Sequence, residues 1–117
     1  MIRSDLERLR DAREFAQQAL NHATGLPADI LAEAREPQHA ALYALTIVGE
    51  ALGGVSGEVR SAAPEIPWDA LRGLRNHVIH AYWQIDLEII AEVIENRIAP
   101  LLAELDKLIG LVERAER

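Results

Sequence analysis

Apolar residues along this chain recur at steps of three and four, and no stretch alternates with the period of two that a half-buried strand needs. Ile2, Leu6, Leu9, Ala12, Ala16 and Ala19 form one such stripe. Ser4, with Glu7 three residues on, fits a capping box in which side chains satisfy the first orphan backbone amides, so a helix is expected over residues 4–23. Gly25 and Pro27 stop it, and residues 29–35 fit a short helical piece. Ala41, Leu45, Val48, Leu52, Val55 and Val59 then alternate steps of four and three, a narrow seam that predicts a second long helix over residues 37–62. Gly49, Gly53, Gly54 and Gly57 lie on it, each costing about 1 kcal/mol relative to Ala inside a helix. They imply a close approach by a neighbouring helix or a bend, or else a break near Gly53-Gly54.

A third helix over residues 68–81 carries the stripe Trp68, Leu71, Leu74, Val78 and Ala81, with Pro67 in its first turn, where a missing N–H costs nothing. Asp86 caps a last helix with the stripe Ile90, Ile94, Ile98, Leu101, Leu105, Leu108 and Val112. Pro100 inside that run predicts a kink or break just before it. Four long helices with short connections predict a single all-α domain over residues 1–117, an antiparallel bundle of four to five helices.

Composition agrees with this reading. Half the residues are hydrophobic but only 4% are aromatic, a mix that favours helices over sheets. At 117 residues the chain buries roughly two-thirds of its unfolded surface, enough to fold alone. The absence of cysteine excludes disulfides and thiolate metal sites. No apolar run approaches the roughly 18 to 20 residues of a membrane span, and the first residues lack a signal-peptide core, so a cytoplasmic protein without membrane contact is expected. The net charge of −7 gives no general attraction to nucleic acid, so RNA chemistry here depends on a local basic patch, or else on a basic partner that presents the substrate or binds the acidic face. Arg60, Arg72 and Arg75 are the candidates for the patch.

The chemistry concentrates in Arg75-Asn76-His77-Val78-Ile79-His80-Ala81-Tyr82. A permanent cation, an imidazole and a phenol within one short segment suit phosphodiester cleavage without a metal or cofactor. The guanidinium neutralises phosphate charge, the imidazole moves the proton and the phenol supplies a hydroxyl. Arg75 and Tyr82 are seven residues apart and share a helix face, whereas Arg75 and His80 diverge by about 140° at 100° per residue. One helix does not bring these two together: the helix frays near Ala81, the arginine reaches around, or two chains contribute. His77 and His80 have no further ligands at helical spacing to complete a metal site. Glu50, a carboxylate on an otherwise apolar helix, pairs with Arg75 or Arg72 across the bundle, or is a solvated edge. Trp68 reads as packing. Trp83 reads either as packing or as a platform for a nucleobase.

Four stretches together resemble the HepT family of toxins in the HEPN superfamily. They are Thr46-Ile47-Val48-Gly49-Glu50-Ala51, Pro64-Glu65-Ile66-Pro67-Trp68, Gly73 through Tyr82, and Ile85-Asp86-Leu87-Glu88. The likeness covers roughly residues 40–105. It rests on the spacing Arg, four residues, His, one residue, Tyr. The resemblance implies a helical homodimer with the motif at its interface and a metal-independent endoribonuclease. It also implies pairing with a minimal nucleotidyltransferase antitoxin of the MntA type, which transfers AMP to the motif tyrosine. On that reading Arg75 binds the scissile phosphate, His80 is the general acid/base, Asn76 and Glu50 support them, and Tyr82 is the site of AMPylation. Two positions depart from the family pattern: Ala81 stands where many relatives have glycine, and His77 where an apolar residue is usual. The alternative is a non-catalytic HEPN-like module that docks a nucleotidyltransferase partner.

Overall fold

Ser4 starts the first helix, α1 (Asp5–Ala23), with both halves of the expected capping box. Its hydroxyl accepts from the Glu7 N–H at 3.1 Å, and the Glu7 carboxylate accepts from the Ser4 N–H at 3.0 Å. The computed structural model describes residues 3–116, apart from the side chain of Tyr82; Ile2, the first position of the α1 stripe, lies outside the described residues. The order is α1, α2 (Ala28–Glu33), α3 (Arg35–Gly53), α4 (Gly57–Ser61), α5 (Trp68–His80), a 3-10 turn (Tyr82–Gln84), α6 (Leu87–Asn96) and α7 (Ile98–Ala115). The described residues contain no strand, and none of their helices is long and apolar enough to cross a membrane.

The α1 stripe narrows to alanine at Ala12, Ala16, Ala19 and Ala23, all buried, and this small face lets α3 lie close. The two helices run antiparallel, since Asp5 at the start of α1 bonds Ser56 just beyond the end of α3, through both N–H (2.9 Å) and Oγ (2.7 Å). α7 also runs antiparallel to α1: Arg10 meets Glu113 at 2.6 Å and Arg13 meets Asp106 at 2.7 Å. Leu9, Leu31, Leu45, Leu52, Ile90, Ile94, Ile98, Leu105 and Leu108 fill the space between these helices.

Two boundaries follow the glycine and proline signals: the break near Gly53-Gly54 is the alternative the structure adopts, and the break expected just before Pro100 is present. The seam over residues 37–62 is not one helix. α3 stops at Gly53, and Ser56 caps the separate short α4 by accepting from the Val59 N–H at 3.3 Å. Gly53 and Gly54 end the helix, and Arg60 fills the role of a C-cap, donating to the carbonyls of Gly53 (2.7 Å) and Val55 (2.9 Å). The run with Pro100 breaks at Arg97, which places Pro100 in the first turn of α7, where no intrahelical N–H is lost.

Gly49 makes the close approach. A Cβ there would lie 2.5 Å from Arg75 Cβ and 2.8 Å from the Leu71 carbonyl oxygen, so α5 presses directly on the α3 backbone at the motif arginine. α5 is otherwise an outer helix. Of its stripe only Leu71 is fully buried, with Trp68, Leu74 and Val78 half-buried.

Candidate active site

α5 ends at His80, and its two chemical side chains leave in different directions. Arg75 points toward α3. Its guanidinium makes an ion pair with Glu50 (Nη2 to Oε2, 2.8 Å) and donates through Nη1 to Asn76 Oδ1 at 2.8 Å. The Nε is buried and has no acceptor among the described residues. The arginine is 29% exposed but Glu50 is 63% exposed, so the pair sits in solvent-screened dielectric and is worth at most about 1 kcal/mol. Glu50 is thus a holder of Arg75 that water or an anion can displace. It pairs with Arg75, not with Arg72.

His80 is exposed at the last turn of α5 and does not line the hollow that contains Arg75. The helix does end here, yet that brings the two no closer within one chain. Ala81 follows with φ −133° and ψ 36°, which is not the left-handed region, so no glycine is required there. Tyr82 opens the 3-10 turn; its side chain lies outside the described residues. Trp83 beside it is 67% exposed.

His77 lies on the other flank of α5. It lines an apolar groove of about 460 Å³ with Leu71, Leu74, Ile89 and Val93, between α5 and α6. Its Nε2 is buried with no partner among the described residues. It is half-buried at this groove and does not line the hollow that contains Arg75.

The basic patch differs from the expected one. Arg60 is committed to structure, capping the end of α3 and lying 5.6 Å from the centre of the Trp68 ring, while Trp68 donates through Nε1 to the Ala63 carbonyl at 3.0 Å. This confirms Trp68 as packing and removes Arg60 from the cations available to a ligand. Its place is taken by Arg8 of α1, which lines a hollow of about 390 Å³ with Arg72, Arg75, Asn76 and Glu50. Three guanidiniums there face one carboxylate, giving a locally positive site on a chain of net charge −7. Sequence spacing gives no sign of Arg8, because only the antiparallel packing of α1 on α3 brings it to α5. In the fold Arg3, Arg10 and Arg13 each find a carboxylate, whereas Arg8 finds none among the described residues.

With this geometry in place, comparison with known proteins is informative. The family model described as Ribonuclease HepT-like matches residues 5–108. A protein of Methanocaldococcus jannaschii named as a putative RNase is 25% identical over 105 residues, covering 90% of this chain and 87% of the relative. A protein of Thermococcus cleftensis named as a probable ribonuclease HepT is 31% identical over 74 residues, covering 63% of this chain and 67% of the relative. No solved structure matches significantly. The family match spans all seven helices from the first turn of α1 to the middle of α7, and the chain therefore belongs to the HepT-like ribonuclease family.

Proposed function

We propose that this protein is a metal-independent endoribonuclease acting as a toxin, with a composite site built by two copies of the chain. The observation that carries this reading is the divergence of Arg75 and His80 on a helix whose outer face is only partly covered. In a two-fold dimer through α5, Arg75 of one copy faces His80 of the other. A base at His80 takes the proton from an RNA 2′-hydroxyl. The 2′-oxygen bonds to phosphorus, and the P–O5′ bond breaks. A protonated imidazole returns the proton to the leaving 5′-oxygen, giving a 2′,3′-cyclic phosphate and a 5′-hydroxyl. Arg75, freed from Glu50, stabilises charge on the phosphoryl oxygens, and Asn76 holds its guanidinium in plane.

A nucleotidyltransferase partner silences the site by joining the phenol oxygen of Tyr82 to the α-phosphorus of a nucleoside triphosphate, with release of pyrophosphate. The added AMP brings bulk and negative charge beside the motif. A second reading has one observation in its favour: Glu50 neutralises Arg75 in the single chain, as suits a non-catalytic docking module.

Arg75→Ala and His80→Ala each abolish RNA cleavage with helical content intact. Mixed together, the two variants recover up to half the wild-type activity per heterodimer, because one of its two composite sites is intact. Separately inactive variants with no recovery on mixing would place Arg75 and His80 in one chain's site. Full activity of both variants, or no cleavage by unmodified wild type, would support the docking module.

A further inference from the structure

Arg8 and Arg72 are two guanidiniums that neither the fold nor the motif chemistry uses. Both line the hollow beside Arg75, and neither has a hydrogen bond or ion pair among the described residues. We propose that Arg8 and Arg72 form a phosphate subsite that holds a second phosphodiester of the bound RNA, adjacent to the one held by Arg75. This deepens the ribonuclease reading and rests on it.

Gly54 is the first support. Its backbone is ordinary, φ −93° and ψ −2°, so no turn requires glycine there. The space a Cβ would take at position 54 is occupied by the Arg8 guanidinium, which would have to swing aside for any side chain there. The glycine thus leaves room for the Arg8 guanidinium against the end of α3, where it lines the hollow.

Arg60 is the second. The end of a helix presents carbonyl oxygens and a negative partial charge, which repel an anion. Here the last carbonyl of α3, that of Gly53, accepts from Arg60 at 2.7 Å, and the Val55 carbonyl just beyond the helix accepts from it at 2.9 Å. Arg60 therefore offsets part of the negative end of α3 at Gly53, and the charged side chains that line the hollow are Arg8, Arg72 and Arg75 against Glu50.

The lining chemistry selects the ligand. Arginines, Asn76, Glu50 and glycines line the hollow, with no large apolar side chain among them. A protein partner's docking site would carry an apolar or aromatic anchor at its centre. Planar guanidiniums match phosphate oxygens in pairs, and a row of them suits a polymer of phosphates.

The test uses full-length protein made alone and verified by intact mass to be unmodified. A single-stranded RNA with 2′-deoxy substitution at the cleaved position measures binding across a salt series, and the unsubstituted RNA measures cleavage. Arg8→Gln and Arg72→Gln each raise Kd about tenfold, and each lowers the slope of log K against log salt by about 0.7, the value for one phosphate contact on a single strand. In cleavage, KM rises more than kcat falls. Gly54→Ala keeps every charge and still weakens binding, because it unseats Arg8, and Arg8→Lys restores the slope better than the affinity. Arg13→Gln, which removes an α1 charge paired with Asp106, changes neither. Unchanged Kd and slope in Arg8→Gln and Arg72→Gln, with wild type binding and cutting RNA, would overturn the subsite and leave the ribonuclease reading standing. Loss of nucleotidyltransferase binding with RNA binding intact would overturn it in favour of a protein contact. A wild type that neither binds nor cuts RNA would overturn both readings.

Discussion

At the scale of single residues, the position that most constrains this site has no side chain. Gly49 lies under Arg75, and the atoms its Cβ would meet include the Leu71 carbonyl, which is backbone and cannot swing away. Gly49→Ala therefore separates α3 from α5 and costs about 1–3 kcal/mol by overpacking, read as a lower denaturant midpoint with unchanged m. An unshifted midpoint would mean that α5 is not seated on α3 as described. The same contact explains why Glu50, the next residue on α3, reaches Arg75. That carboxylate stood out in the sequence as a charge on an apolar helix, but the sequence left open whether it pairs with Arg75, with Arg72 or with solvent. Arg8 did not stand out, because an arginine beside Leu9 on an amphipathic helix looks like any other solvated flank until the packing partner is known.

At the scale of elements, the capping box of α1 gives the clearest test. The Ser4 N–H, then the Ser4 hydroxyl, then the nearby Arg3 guanidinium hold the Glu7 carboxyl below its ordinary value of 4.5. A depressed acid stabilises the folded state above its unfolded pKa, and that stabilisation is lost as pH falls through the folded value. Wild type therefore melts above Glu7→Gln at pH 6, and the gap closes as the solution is acidified below 4.5. A gap that persists at pH 2.5 would show that the glutamate acts through packing. Ser4→Ala costs about 1 kcal/mol at pH 6. This helix was readable because its signals are local: a cap, a stripe and a glycine. The seam over residues 37–62 misled in part because Val55 and Val59 keep the helical step after the helix has ended. Val55 is buried as a linker residue and Val59 packs against the core from α4, so apolar spacing survives a break in the backbone.

At the scale of the whole molecule, half of the large exposed apolar side chains among the described residues lie around the motif, the rest being Ile30, Tyr43 and Leu111 on α2, α3 and α7. Ile79 is 40% exposed and Ile89 49%, and with Trp83 they lie on or near the outer side of α5 and α6. The groove holding His77 runs between those two helices. In the proposed dimer this surface meets its own copy. Sedimentation velocity of wild type should then give twice the monomer mass. Ile89→Glu gives monomers with unchanged helical content and no activity. A monomeric wild type, or a dimeric Ile89→Glu, would send the search for a partner elsewhere. Such a surface is written in the sequence only as an imperfect stripe. Leu74 and Val78 occupy core spacing yet stay half-buried, because the chain does not supply a layer to cover them.

The two tryptophans turn this arrangement into an optical instrument. Trp68 is tied by its indole N–H to Ala63 beneath the Arg60 guanidinium, and it senses whether α5 is seated. Trp83 projects next to the motif, and it senses what arrives there. With no third indole in the chain, replacing Trp68 by Phe leaves a single indole. Excited at the red edge, where Tyr43 and Tyr82 do not absorb, the Trp83 indole then reports, without any label, when a second copy, an RNA base or an adenylyl group comes to rest beside His80.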